Sequence, residues 1–179
     1  MAVRVTFNKG EFRRELLQRK KLYEDEQTAR LIAYAEEQMQ LIGAEIEPYF
    51  GHSYTNTGNM LDSLCWGVWF DGKLKKSGYY REKQAEFDSY LHELSIARRT
   101  PVDGRFLAQQ FLANYNAVKQ GWSVAWGVLA PYYPYWETGH ENVLIGDVQG
   151  FYIMTQRYDH IQNQLGTKCV TRIEINRAV

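Results

Sequence analysis

Cysteine is scarce in this chain: two residues in 179, Cys65 and Cys169. Neither lies in a Cys-x-x-Cys pair or at zinc-ligand spacing, so a disulfide scaffold and a structural zinc site are excluded, and both thiols read as reduced core residues. Net charge is also lacking, because 21 Lys and Arg balance 21 Asp and Glu. No global field draws the chain to nucleic acid or to an anionic membrane. Long apolar runs are missing as well: nothing approaches the roughly 20 residues of a membrane span, and residues 1–10 hold no apolar stretch of signal-peptide length. The expectation is a chain kept in a cytosol-like compartment, away from membranes. Histidine contributes only His52, His92, His140 and His160, scattered singly.

What the chain has in excess is rings. Thirteen Tyr, eight Phe and five Trp make up 15% of it, and side chains with an apolar body and a polar tip suit cores and interfaces alike. The length and the 45% hydrophobic content predict one folded domain over residues 1–179. Charge is segregated locally. Lys73 to Arg105 carries eight basic and five acidic residues, whereas Pro131 to Gly150 carries Glu137, Glu141 and Asp147 with no Lys or Arg. Segments of opposite sign can meet across copies of one subunit and fix their register.

Periodicity then orders the elements. Val3, Val5 and Phe7 alternate as a short strand. Phe12, Leu16 and Tyr23 suggest one helix, and after the polar run Tyr23 to Thr28 a second follows, with Leu31, Ala35, Met39, Ile42 and Ile46 on one stripe. Pro48 is expected to end it. Leu64 to Phe70 reads as a strand closing on the hairpin dipeptide Asp71-Gly72. Residues 71–120 read as a helical insertion, from the patterns Phe87, Leu91, Leu94 and Leu107, Phe111, Tyr115, Val118. Trp122 to Val128 is a strand with one heavy aromatic face, expected to pair with Leu64 to Phe70. Phe151 to Leu165 has helical spacing, with Gly166 as its stop, and Cys169 to Ile175 alternates as a closing strand. The predicted class is α+β: a small mixed or antiparallel sheet of about four strands packed against helices, with the helical insertion.

Templates for catalysis fail. The chain has no phosphate-cradling Gly-x-x-x-x-Gly-Lys-Ser/Thr, no dinucleotide Gly-x-Gly-x-x-Gly and no His-Glu-x-x-His. Gly51-His52-Ser53-Tyr54-Thr55 starts like a nucleophile elbow but has Thr where the closing Gly belongs. Glu137 and His140 have chelating spacing only on a helix, which Gly139 opposes. Asp62, Glu137 and Asp147 could supply a carboxylate pair, yet nothing fixes their separation. No catalytic, cofactor-binding or metal-binding residue is assigned, and no cofactor is expected. Lys73, Lys75, Lys76 and Arg81 interleave charge with Tyr79 and Tyr80 as single-strand binders do. The patch is short and acids follow it, so a solvated hairpin tip fits better than a nucleic-acid site.

Two segments carry a resemblance. Thr57-Gly58-Asn59-Met60-Leu61-Asp62-Ser63-Leu64 resembles the Thr-Gly-x-Leu-x-x-Ser-Ile signature of the tail-completion, or head–tail joining, family of long-tailed bacteriophages. Tyr132-Tyr133-Pro134-Tyr135-Trp136-Glu137-Thr138-Gly139 resembles that family's Tyr-Ala-Pro-Tyr-x-Glu-x-Gly segment. The order of elements agrees, over roughly residues 3–70 and 121–175. Departures are Met60 for Leu, Tyr133 for Ala, the lead Ser53 to Asn56, and the 71–120 insertion. The resemblance implies a non-enzymatic virion subunit, present in the host cytoplasm during assembly and joined to other phage head–tail or tail proteins. Its copies would form a ring at the head–tail junction or the head-proximal end of the tail. In that frame Gly58 and Gly139 are turn residues, Thr57 bonds its own turn, and Ser63 is a strand-edge hydroxyl. Tyr132, Tyr133, Pro134, Tyr135, Trp136 and Glu137 are interface anchors. The competing readings are a small phage-encoded hydrolase using Glu137 and a DNA-binding accessory protein using the basic insertion.

Overall fold

The structure, a computed structural model, describes residues 8–50, 58–84, 103–130, 139–142, 146–149 and 153–165. Its first element is one helix, α1 (Lys9–Phe50), of 42 residues. Asn8 opens it, its side-chain oxygen accepting from the Gly10 and Glu11 N–H groups at 3.1 and 3.3 Å. Two helices were expected here, and the polar run Tyr23 to Thr28 does not separate them. That run holds no Gly or Pro, and Thr28 donates to the Glu24 carbonyl one turn back at 2.7 Å, inside the helix. Nor does Pro48 end the helix, which carries it in the last turn. Pro48 has no N–H to donate to the Ala44 carbonyl, so the last turn runs on without that bond, and the helix stops two residues later.

A one-turn helix, α2 (Asn59–Asp62), leads into strand β1 (Leu64–Phe70). Asp71 and Gly72, with φ of 50° and 74°, then make the two-residue turn that Asp-Gly favours. The chain returns as β2 (Lys73–Tyr79), antiparallel to β1. The expectation of a helical insertion starting at residue 71 is therefore corrected: its first part is a strand, at the edge of the sheet among the described residues. Its lysines fit that position, because charged side chains keep an edge from pairing with another chain. Within the rest of 71–120, α3 (Gly104–Asn114) is a helix, capped by Asp103, which accepts from the Phe106 N–H at 3.0 Å. Tyr115 and Val118 lie beyond its end, and the Phe87 to Leu94 pattern lies outside the described residues.

Strand β3 (Trp122–Val128) pairs antiparallel with β1 as expected, Trp66 opposite Trp126 and Val68 opposite Val124. The order β2-β1-β3 makes β1 central. The sheet has three strands among the described residues, where about four were anticipated; the predicted strands at 3–7 and 169–175 lie outside them. A separate ladder joins β4 (Gly139–Asn142) to β5 (Gly146–Gln149), and helix α4 (Ile153–Leu165) follows.

The alternation of β1 builds two cores. Leu64, Trp66 and Val68 face Ala35, Met39, Ile42 and Ile46 of α1, with Val124, Trp126 and Val128 beside them. Cys65 and Trp69 face Ala108 and Leu112 of α3, with Phe111 and Tyr115. Each fully buried side chain of this size contributes roughly 1.5–3 kcal/mol through removal from water, so the α1 stripe dominates the helix–sheet contact. Trp126 donates its ring N–H to the Ala35 carbonyl at 2.9 Å, and Trp122 donates to the Thr28 hydroxyl at 3.1 Å. Both tryptophans are thus half-buried while their polar edges stay bonded. The Cys65 thiol sits inside the second core, where burial pushes its pKa up to about 12 against a small opposing pull from Arg105. It is inert packing rather than a nucleophile.

Candidate functional site

The first motif segment forms a sealed corner of the molecule. Gly58 has φ 71°, in the left-handed region open to glycine, and turns the chain into α2, all four of whose residues are buried. Asp62 is 0% exposed, which demands a partner for its charge. One carboxylate oxygen accepts from the Arg81 Nε at 2.9 Å and the other from the Gln84 N–H at 3.0 Å. Arg81 also donates to the Gly58 carbonyl at 3.0 Å, closing the motif turn on itself. Arg105, on the first turn of α3, donates to the Asp62 carbonyl at 3.2 Å and to the Arg81 carbonyl at 2.6 Å. Its guanidinium lies 3.8 Å from the centre of the Tyr79 ring, a cation–π contact.

The same corner holds α3 tightly. The Asn59 side-chain oxygen accepts from the Gly104 N–H at 3.1 Å, and a β-carbon at Gly104 would lie 2.1 Å from the Asn59 carbonyl oxygen. Only glycine permits that approach. Asp103 pairs with Lys83. Burial pushes the Asp103 carboxyl up, but its bonds to Lys83 and to the Phe106 and Arg105 N–H groups, with the Lys83 charge, outweigh this and hold it below the usual carboxylate value.

Ser63 is buried, and its hydroxyl is fully committed. It donates to the Met60 carbonyl at 2.6 Å and accepts from the Leu129 and Ala130 N–H groups, each at 3.1 Å. A hydroxyl whose proton points at a backbone carbonyl has no base to activate it, so the arrangement is a clip and not a nucleophile. The clip joins the first motif to the end of β3, directly before the segment 131–138 that carries the second. Gly139 opens β4 opposite Gln149, and the residues 131–138 that lead into it lie outside the described residues. Thr57, and the anchors Tyr132, Tyr133, Pro134, Tyr135, Trp136 and Glu137, lie outside the described residues.

The proposed basic patch divides. Lys73, Lys75 and Lys76 are exposed on the edge strand, with Lys75 5.5 Å from the centre of the Phe70 ring, and have no ion-pair partner among the described residues. Arg81 does not belong with them, because the Asp62 carboxylate holds it in the corner. The partnership of Asp62, Arg81 and Arg105 escaped the sequence reading. Its one signal was an acid at the close of a glycine-opened turn, in a chain whose middle holds a surplus of bases. Among the described residues no group of three His, Cys, Asp or Glu is placed to hold a metal ion, and no helix is long and apolar enough to cross a membrane. No family model, curated protein or solved structure matches the chain.

Proposed function

We propose that this protein is a structural subunit of a long-tailed phage virion, acting at the head–tail junction or the head-proximal end of the tail through ring-like self-assembly. The observation that carries the reading is the Ser63 clip. The two segments that resemble the tail-completion family are far apart in sequence, yet one hydroxyl ties the first to the backbone that opens the second. The acid of the first motif is spent on Arg81 and a backbone N–H, which suits a rigid mount better than a reaction centre. On that mount the aromatic segment Tyr132 to Trp136 grips neighbouring subunits, and a heterologous contact of that kind closes into a ring when its rotation allows.

The test uses the full chain and a phage that encodes it. The expected results are a mass well above one chain by light scattering and, with Trp136→Ala, heads and tails left unjoined in electron micrographs. A monomer at every concentration, together with normal particles from Trp136→Ala, overturns the reading.

A further inference from the structure

The register between β1 and β2 slips once, between Val68 and Trp69, and leaves Lys75 without a partner in β1. Simple alternation would put Lys73 and Lys76 on opposite faces of the sheet. The slip instead sets Lys73 opposite Phe70 and Lys76 opposite Val68, both on the face that Val68 turns to α1. Lys75 reaches the same face, its ammonium 5.5 Å from the centre of the Phe70 ring. One β-bulge thus gathers three lysines on one side of β2.

Helix α1 leaves that corner of the face open. It crosses the sheet on a diagonal: Gln40 and Glu47 bond Tyr80, just past the far end of β2, whereas Thr28 bonds Trp122 at the start of β3. All three lysines are exposed. A fourth joins them from another part of the chain. Asp71 and Gly121 bond each other twice, at 2.9 Å through the backbone and at 2.7 Å through the Asp71 carboxylate, which holds the segment of the exposed Lys119 beside the turn that leads into Lys73. None of the four lysines has an ion-pair partner among the described residues.

Aromatic side chains continue the patch. Phe70 packs on Trp122 with centroids 4.6 Å apart, and Trp122 meets Tyr23 edge-on at 6.2 Å. Tyr23 is 57% exposed, a wet phenol at the end of a row that begins at the lysines. Asp71 is engaged by Gly121, and Glu24, beside Tyr23 in the chain, is paired with Lys20. Glu82, the first acid to follow the lysines in the sequence, lies beyond the opposite end of β2.

We propose that this corner is a binding site for single-stranded nucleic acid, with Lys73, Lys75, Lys76 and Lys119 on its phosphates and a base stacked on Tyr23. A single strand presents backbone charge and open base faces together, which is the combination the corner offers. An acidic protein segment would use the lysines and leave Tyr23 without a role. None of these residues belongs to the two motif segments, so the site stands independently of the self-assembly reading.

Fluorescence anisotropy of a labelled oligothymidylate, titrated with the full chain, tests it. Binding is expected, with log K falling against log salt at a slope of about −0.7 for each phosphate neutralised, and so up to about −3 for four lysines. Replacing Lys73, Lys75, Lys76 and Lys119 together by Gln is expected to abolish binding while the melting temperature holds. Tyr23→Ala is expected to weaken binding roughly tenfold with the salt slope kept, and a duplex of the same length is expected to bind more weakly than the single strand. No binding at low salt, or binding that survives the four replacements, overturns the site. A duplex bound as tightly as the single strand, or Tyr23→Ala without effect, overturns the single-strand assignment. Self-association lost in the Gln variant, with no oligonucleotide bound by the parent, gives the patch to an acidic segment of a second copy and overturns the proposal. Normal assembly without oligonucleotide binding overturns it too, and leaves the self-assembly reading standing.

Discussion

Arg81 and the lysines of β2 belong to one short stretch of chain, but the fold treats them in opposite ways. Arg81 is drawn under the motif turn, where it neutralises the wholly buried Asp62 and bonds the Gly58 carbonyl. Lys73, Lys75 and Lys76 stand in water on an outer strand with no anion beside them among the described residues. A buried charge must have partners or it unfolds the site, whereas a solvated charge can be removed almost without effect. The first set is therefore part of the architecture, and the second is available to other molecules.

The sharpest way to break that comparison is Asp62→Ala. It strands Arg81 in the corner, and an unfolding free energy lower by about 3–5 kcal/mol is expected in urea titration. Ser63→Ala comes next. It orphans the Leu129 and Ala130 N–H groups in a buried place, with a loss of about 1–3 kcal/mol by the same measurement. Gly58→Ala forces a side chain into the left-handed region and is expected to cost roughly 1–2 kcal/mol. A smaller effect separates Asp103 from the rest through pH. Its carboxyl is held below the ordinary value in the fold, so its contribution is complete at neutral pH and is lost as pH falls through the acid range below about 4. Asp103→Asn should flatten the acid limb of a plot of melting temperature against pH. At the far end, replacing Lys73, Lys75 and Lys76 together by Gln should change stability by less than about 0.5 kcal/mol. A large loss there would erase the distinction between the two sets.

The parts of the fold legible in the sequence are those whose packing imposes a period. Leu64 to Phe70 and Trp122 to Val128 are fixed by pleat alternation against two different helices, and the stripe from Leu31 to Ile46 by its contact with the sheet. The parts misread are those where local polarity stood for something else. The acids around Glu24 mark the point where the sheet stops lying opposite α1, not a break in the helix. The lysines of β2 mark an edge, and an edge strand with polar side chains has no hydrophobic alternation to betray it. Tight turns were partly accessible, since glycine in Gly58 and in Asp71-Gly72 carries the backbone requirement in its identity. The Asp62 to Arg105 partnership was not, because pairing across distant segments leaves no spacing rule in the chain.

The Ser63 hydroxyl also sets a mechanical path. Tension on the segment beyond Ala130 enters β3 along the backbone, and the hydroxyl gives it a second route to the head of β1, the strand flanked by neighbours on both sides. The end of the outer strand β3 is thereby fastened to the strand between its two neighbours by a bond outside the ladder itself.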